Sequence, residues 1–198
     1  SAMRAFVKVV TVSTAGNIVN DRIERWGHNY NLIGRLRELG FRVYSCNDGI
    51  AHMLYCIDVF KVGYCPALCI VLGTGVALTV TDSLGHILKT TSQHFILDNI
   101  ILHQYRGVQH NVHDVLGQRG YVKYGHRKHT KFLSKFLLMF ASFFCAKTVF
   151  LGGGISQYID PDELTLEAFQ IIKIPWTAAL QGALTLAEDK TEATVGLL

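Results

Sequence analysis

Ile70-Val71-Leu72-Gly73-Thr74-Gly75 and Thr148-Val149-Phe150-Leu151-Gly152-Gly153-Gly154-Ile155-Ser156 are the two stretches on which the reading of this chain turns. Each is a β-branched or apolar run, of the composition that suits a buried strand, and each stops at residues with little or no side chain. A strand that ends in glycine lets a ligand come up to the backbone, because no Cβ stands in the way and the amides can turn toward an anion. Val43-Tyr44-Ser45-Cys46-Asn47-Asp48 is a third run of this kind, ending in polar groups. Three strand ends of this character predict a cleft for a nucleotide and a substrate.

Working outward, the valine-rich segment 6–13 reads as a strand and Ser13-Thr14-Ala15-Gly16-Asn17 as a tight turn. Leu32, Ile33, Leu36 and Leu39 recur at helical spacing, and Gly40 stops that helix. Residues 41–45 return to strand, and a further helix spans 49–59. Strands over 67–72 and 76–81 flank Gly73-Thr74-Gly75, and Asp82-Ser83-Leu84-Gly85 makes a hairpin turn into 86–88. A helix over 131–146, a strand over 148–151, a helix over 161–168, a short strand over 171–174 and a helix over 178–187 complete the pattern. The histidine-rich segment 90–124 shows no clear period. Alternating strand and helix argue for a mixed α/β fold.

The 198 residues are 49% hydrophobic and 17% charged, the balance of a globular chain with well-buried strands. No stretch reaches the roughly 18 uninterrupted apolar residues of a membrane span. Residues 132–149 come nearest, and Lys135 and Lys147 interrupt them. No secretory leader is read at the start. The five cysteines, Cys46, Cys56, Cys65, Cys69 and Cys145, are an odd number on apolar segments, which predicts buried, reduced thiols and a cytoplasmic protein. Cys65 and Cys69 also invite a metal reading, but no second cysteine pair supports it.

The net charge of +4 is concentrated: Arg119, Lys123, His126, Arg127, Lys128, His129, Lys131 and Lys135 fall within seventeen residues. They read as the solvated face of a helix beginning near Tyr124, or as a surface for an anionic partner such as nucleic acid, polyphosphate or a membrane; the solvated face is preferred. His103, His110, His113, His126 and His129 could hold a metal, yet no Cys or Glu framework accompanies them, so structural or surface roles are preferred. A Ser-His-Asp hydrolase finds no Gly-x-Ser-x-Gly elbow here.

In their order and spacing, Asn47-Asp48, Gly73-Thr74-Gly75 and Gly152-Gly153-Gly154 with Ile155-Ser156 resemble the ROK family of sugar kinases, within the actin-like ATPase (ribonuclease H-like) fold. The glucokinase and polyphosphate-glucokinase branch is the nearest likeness. Ala178-Ala179-Leu180-Gln181-Gly182-Ala183 resembles the family's final helix, so the likeness runs from about Val9 to about Ala187. It implies an α/β fold of ROK type that is N-terminally truncated, with 1–60 the remainder of the small lobe and 61–198 the large nucleotide-binding lobe. It further implies phosphoryl transfer from ATP (or polyphosphate), with Mg, to a hexose hydroxyl. Asp48 would be the catalytic base and Asn47 a sugar ligand. Gly73, Thr74 and Gly75 would meet the terminal phosphates, and Gly152, Gly153 and Gly154 would pass close to the adenosine.

The residues alone leave other readings open. Asn-Asp-Gly also suits a turn or a helix cap, and glycine clusters also suit tight turns or close helix–strand contacts. The chain departs from the family's pattern as well. No Asp-x-Gly-Gly-Thr phosphate loop is matched, and Val76-Ala77-Leu78 follows where another glycine is usual. Thr91-Ser92-Gln93-His94 stands near the place of a Glu-x-Gly-His sugar contact, and the three-cysteine zinc loop is absent, as in the polyphosphate branch. A non-catalytic pseudokinase is therefore the alternative, a ligand-binding or protein-interaction module. A truncated lobe favours a homodimer or a partner that completes the sheet. Membrane and nucleic acid are not among the expected partners.

Overall fold

The computed structural model describes residues 9–25, 28–88, 97, 99–164 and 169–188. The first part of the chain forms β1 (Val9–Thr14), β2 (Asn17–Val19), β3 (Arg22–Arg25), β4 (His28–Tyr30), α1 (Leu32–Glu38), β5 (Arg42–Asn47) and α2 (Asp48–Phe60). Then come β6 (Ala67–Leu72), β7 (Val76–Val80), β8 (Ile101–Tyr105), β9 (Val108–Asn111), α3 (Val112–Leu116), α4 (Gln118–Phe143), β10 (Thr148–Gly152), β11 (Gln170–Lys173) and α5 (Ala178–Glu188).

The main sheet has the order β11-β10-β6-β7, with β6 parallel to β10 and antiparallel to β7. Every residue of β6 and β7 is buried. Alternation along β6 sends Leu68, Ile70 and Leu72 to one face and Ala67, Cys69 and Val71 to the other. Leu133, Phe136, Leu137 and Ala141 of α4 cover the first face, and Met53, Leu54 and Cys56 of α2 cover the second. Burying each such large side chain contributes about 1.5–3 kcal/mol. A strand covered on both faces carries a continuous apolar run, and that is why β6 and β10 are so clear in the sequence.

β1 and β5 pair in parallel, from Val9 opposite Arg42 to Thr14 opposite Asn47. β2, β3 and β4 form a separate antiparallel sheet. Asn20 (φ 48°) and Asp21 (φ 64°) turn β2 into β3, the left-handed pair of a tight hairpin. Ile23, Ile33 and Val43 make a small core between β3, α1 and β5. α5 ties the parts together, since it packs on α2 and also against β1 and β5.

Several expectations need correction. The helix expected over 131–146 is the second limb of α4, which starts at Gln118 and breaks at Gly125 (φ 71°, ψ 165°). The helix expected over 161–168 is a single 3-10 turn, Pro161–Glu163, capped by the Asp160 carboxylate; 165–168 lie outside the described residues. Beyond β7, the hairpin toward 86–88 amounts to one bridge, Thr81 to Ile87. All five cysteines are free, but Cys65 and Cys145 are exposed and only Cys46, Cys56 and Cys69 are buried. Cys65 follows α2 in an open connection, and Cys145 sits at a left-handed turn (φ 52°) just past α4. Among the described residues no helix is long and apolar enough to cross a membrane.

Candidate functional site

Parallel pairing of β6 and β10 sets Gly152 opposite Val71 and delivers both strand ends to one edge of the sheet. There the two glycine runs meet backbone to backbone. Gly153 is left-handed (φ 87°), and a Cβ on it would stand 2.4 Å from the Leu72 carbonyl oxygen. Gly73 closes a tight turn by donating its N–H to the Gly75 carbonyl at 2.9 Å. A Cβ at Gly73 or at Gly154 would meet nothing within 4 Å. Packing therefore demands glycine at 153, whereas no neighbouring atom demands it at 73 or 154. Open backbone at those two positions is what a ligand approaching the strand ends requires. Thr74, at the tip between them, is exposed.

The start of α4 closes this turn from the other side. Gln118 donates its N–H to the Gly73 carbonyl at 2.9 Å, and Gly117 fits only because a Cβ would stand 2.8 Å from the Thr74 oxygen. His113 accepts the Val76 N–H on Nδ1 at 3.0 Å, and its ring lies 3.1 Å from where a Gly75 Cβ would be. A capping box holds α3, and with it His113: Asn111 Oδ1 accepts from the Asp114 N–H, and Asp114 Oδ2 accepts from the Asn111 N–H.

Asn47 and Asp48 arrive from β5. Asn47 is 7% exposed and caps α2, its Oδ1 accepting the Gly49 N–H at 2.9 Å, while its Nδ2 donates to the Gly16 carbonyl at 3.3 Å. The cap reading of Asn47 thus holds. It also joins the small-residue turn after β1 to this edge. Asp48 is the first residue of α2, half-buried, with Oδ1 2.9 Å from the Gly49 N–H.

Gly49 lets the first turn of α2 lie directly on β7, since a Cβ there would stand 2.8 Å from Thr79 Oγ1 and 3.1 Å from the Ala77 Cβ. One turn on, His52 donates Nδ1–H to the Asp48 carbonyl at 2.7 Å, and its Cδ2 lies 3.1 Å from where a Gly152 Cβ would be. Ala77, Val71 and Gly152 form one row across the sheet, and the start of α2 crosses that row. The start of α2, which Asn47 caps and Asp48 opens, therefore lies against the end of the main sheet that carries Gly73, Thr74, Gly75, Gly152, Gly153 and Gly154. Sequence reasoning passed over His52 and Gln118 and weighed His113 only as a metal ligand; the three hold the two glycine runs and the start of α2 in place.

Burial shapes the titration of the groups beneath Asp48. It pushes the Cys46 thiol up to about 12, with the Asp48 charge acting in the same direction, so Cys46 is a packing residue. Burial also lowers His52 below its ordinary 6.5, against the opposing pull of its hydrogen bond to Asp48 and of the Asp48 charge. His129 is lowered for the same first reason. Depressed folded values mean that the unfolded chain takes up protons first, so the stability contributed by neutral His52 and His129 is present above 6.5 and lost as pH falls. The urea midpoint should drop on acidification below 6.5, and His129→Gln, which keeps a donor toward Leu116, should flatten that drop. Identical pH profiles for the two proteins would contradict this assignment.

The histidines and the cysteine pair of the metal readings are dispersed. His103 stacks on His110 within the β8–β9 hairpin, His126 bonds Glu163, and His129 donates Nε2–H to the Leu116 carbonyl. Cys65 is exposed, whereas Cys69 lies in the core with Cys56. Among the described residues, no three His, Cys, Asp or Glu side chains stand together as a metal site.

No protein-family model matches the chain, and no curated protein matches it by sequence. Solved structures match it by fold. An inorganic polyphosphate/ATP-glucomannokinase from Arthrobacter sp. strain KM aligns at a TM-score of 0.69 and 20% identity, over 91% of this chain and 73% of its own. A proposed N-acetylmannosamine kinase from Listeria monocytogenes aligns at a TM-score of 0.74 and 18% identity, over 96% and 84%. A ROK-family transcriptional regulator, a homologue of the E. coli MLC protein, aligns at 0.63 and 11% identity, over 91% and 61%.

Proposed function

We propose that this chain, which has the α/β, actin-like ATPase fold of the ROK sugar kinases, is sugar-kinase-like in function and transfers a phosphoryl group from ATP or polyphosphate to a hexose hydroxyl. One observation carries the reading. The helix start that carries Asp48 lies against the sheet end that carries the two glycine runs, where Gly73 and Gly154 have no packing reason to be glycine. In open α/β sheets, ligands bind outside the carboxyl ends of the strands, as this edge lies.

Asp48, at the rigid junction of β5 and α2, accepts the proton of the attacking hydroxyl. Asn47 retains one Nδ2–H and one Oδ1 lone pair beyond its structural bonds, enough to orient a neighbouring hydroxyl. Gly73, Thr74 and Gly75 present open backbone and a hydroxyl to the terminal phosphates, and Gly152, Gly153 and Gly154 pass beside the adenosine. A magnesium ion carried on the nucleotide phosphates would neutralise their charge, taking its ligands from phosphate and water, so that Asp48 acts as base. His52 keeps Asp48 in place and its own neutral ring against Gly152. We assign 1–60 to the small lobe and 61–198 to the nucleotide-binding lobe of a cytoplasmic protein, a setting that free thiols suit.

Assay against a panel of hexoses with ATP, and separately with polyphosphate, tests the reading: a sugar phosphate should form from at least one hexose. Two observations favour a second reading, a pseudokinase that binds ligand or a partner, including a second copy, without catalysis. A transcriptional regulator shares the fold, and both polar ends of Asn47 already serve structure. Nucleotide or sugar binding with no product from any hexose would favour this second reading.

A further inference from the structure

Arg127, Lys131, Lys135, Met139 and Phe143 recur every fourth residue along the second limb of α4. All five are exposed, Met139 at 49% and Phe143 at 79%. Such a row follows one side of a helix, with about 6 Å between successive members and about 24 Å from end to end. It is basic over its first three positions and apolar over its last two. Leu138, 50% exposed, widens the apolar half. The basic half lines a groove of about 1270 Å³ that His103 and Tyr105 of the β8–β9 hairpin also line. Among the described residues none of these cations pairs with a carboxylate, and Glu163 of the same groove is engaged by His126 at 2.6 Å. A solvated face accounts for the cations, but not for three large apolar side chains exposed side by side where the row continues.

We propose that this face docks a helix of a partner protein that carries Asp or Glu at every fourth position toward one end and apolar residues toward the other. Carboxylates opposite the three cations and apolar side chains opposite Met139 and Phe143 complete the row in both charge and hydropathy. An amphipathic helix laid in a groove and anchored at helical spacing is a recurrent mode of recognition. The interval selects a helix. An extended peptide sets same-face side chains about 6.7 Å apart, so over five pairs it would drift about 3 Å out of register. A second helix repeats the row's own interval. Single-stranded nucleic acid would need free aromatic faces on which successive bases stack. Here Tyr124 and Phe132 pack edge-on, with ring centroids 5.4 Å apart, and Lys123 covers Tyr124. A phosphate backbone also has no use for Met139 and Phe143. A bilayer is flat and meets a ridge, whereas these cations line a concave groove. The start of α4 touches the glycine runs and the row leads away from them, so docking stands whether or not the strand ends transfer phosphate.

Fluorescence anisotropy with labelled alanine-based helical peptides tests it. One peptide carries Glu at three successive every-fourth positions and Leu at the next two, a second reads in the opposite direction, and a third is a scramble of the same composition. The proteins are wild type, a charge variant Arg127→Glu/Lys131→Glu/Lys135→Glu, an apolar variant Met139→Ser/Phe143→Ser, and a control Arg22→Glu/Arg35→Glu/Arg42→Glu with the same charge change at exposed sites elsewhere. Wild type should bind at least one ordered peptide, and should bind the scramble at least about tenfold more weakly. Both face variants should lose at least about tenfold, the charge variant with its salt dependence and the apolar variant without. The control should stay near wild type, with all four proteins showing the same circular dichroism. The inference is overturned if neither ordered peptide binds at low salt, if the scramble binds equally well, or if the apolar variant binds like wild type. Vesicles of phosphatidylserine and phosphatidylcholine, or a single-stranded oligonucleotide, that displace the peptide at equal charge would also overturn it and assign the face to a membrane or to nucleic acid.

Discussion

Asp48→Asn is expected to slow phosphorylation of the accepted hexose by about two to four orders of magnitude, the range in which a positioned general base contributes. The substitution is nearly isosteric and keeps an oxygen for the Gly49 N–H. What goes is proton acceptance, together with a favourable charge in the first turn of α2 worth about 0.3–1 kcal/mol. Nucleotide affinity should therefore change little, because Gly73, Gly75 and Gly152 to Gly154 are held by strand pairing and not by Asp48. Steady-state kinetics with parallel nucleotide titrations separate the two effects. An unchanged kcat would remove Asp48 from the role of base.

Gly182→Val is the second large effect, and it acts through folding. α5 crosses α2 so closely that a Cβ on Gly182 would stand 1.8 Å from the Ala51 carbonyl oxygen and 2.8 Å from the Tyr55 nitrogen. Backbone cannot yield as a side-chain end can, so the helices must part. Ala51, Cys46 and Ala183, all buried at this crossing, would lose their packing. The cost should be about 3 kcal/mol or more, at the severe end of overpacking. Since α5 also braces β1 and β5, any folded remainder should lose activity with stability. Gly154→Ala is the matched control, with ordinary helical backbone (φ −63°) and open space around the new methyl. Chemical denaturation of the two variants checks this; equal midpoints would show that the α2–α5 contact is looser than described.

What could be read in advance follows from how each element is stabilised. β6 and β10 are buried on both faces, so their apolar runs and terminal glycines stand out against any background. β4 is exposed along its whole length and β2 has three residues, so neither carries an alternating pattern to detect. Their hairpin turns on Asn20-Asp21, without the glycine that usually marks one. Arg106 likewise takes a left-handed conformation before Gly107, and β8–β9 went unassigned. The first limb of α4 was hidden because Gly120 and Gly125 interrupt its period; Gly120 is needed where the helix touches the Val115 carbonyl.

At the site the same logic holds. Residues on the strand ends were legible, and their supports were not. His52 follows from Asp48 by one helical turn only once the helix is known to start at 48. The bond from Val76 to His113 spans 37 positions and depends on tertiary structure alone.

The most direct test of the central claim is a calorimetric titration of wild type and Gly73→Val with Mg-ATP. A Cβ at 73 meets no neighbouring atom within 4 Å and the backbone there is not left-handed, so the variant should keep the thermal stability of wild type. Wild type should bind with micromolar affinity and the variant should lose that binding, because the new side chain stands where the phosphates approach. Wild type giving no heat at millimolar nucleotide, or a stable Gly73→Val binding as tightly as wild type, would contradict a nucleotide site at these strand ends.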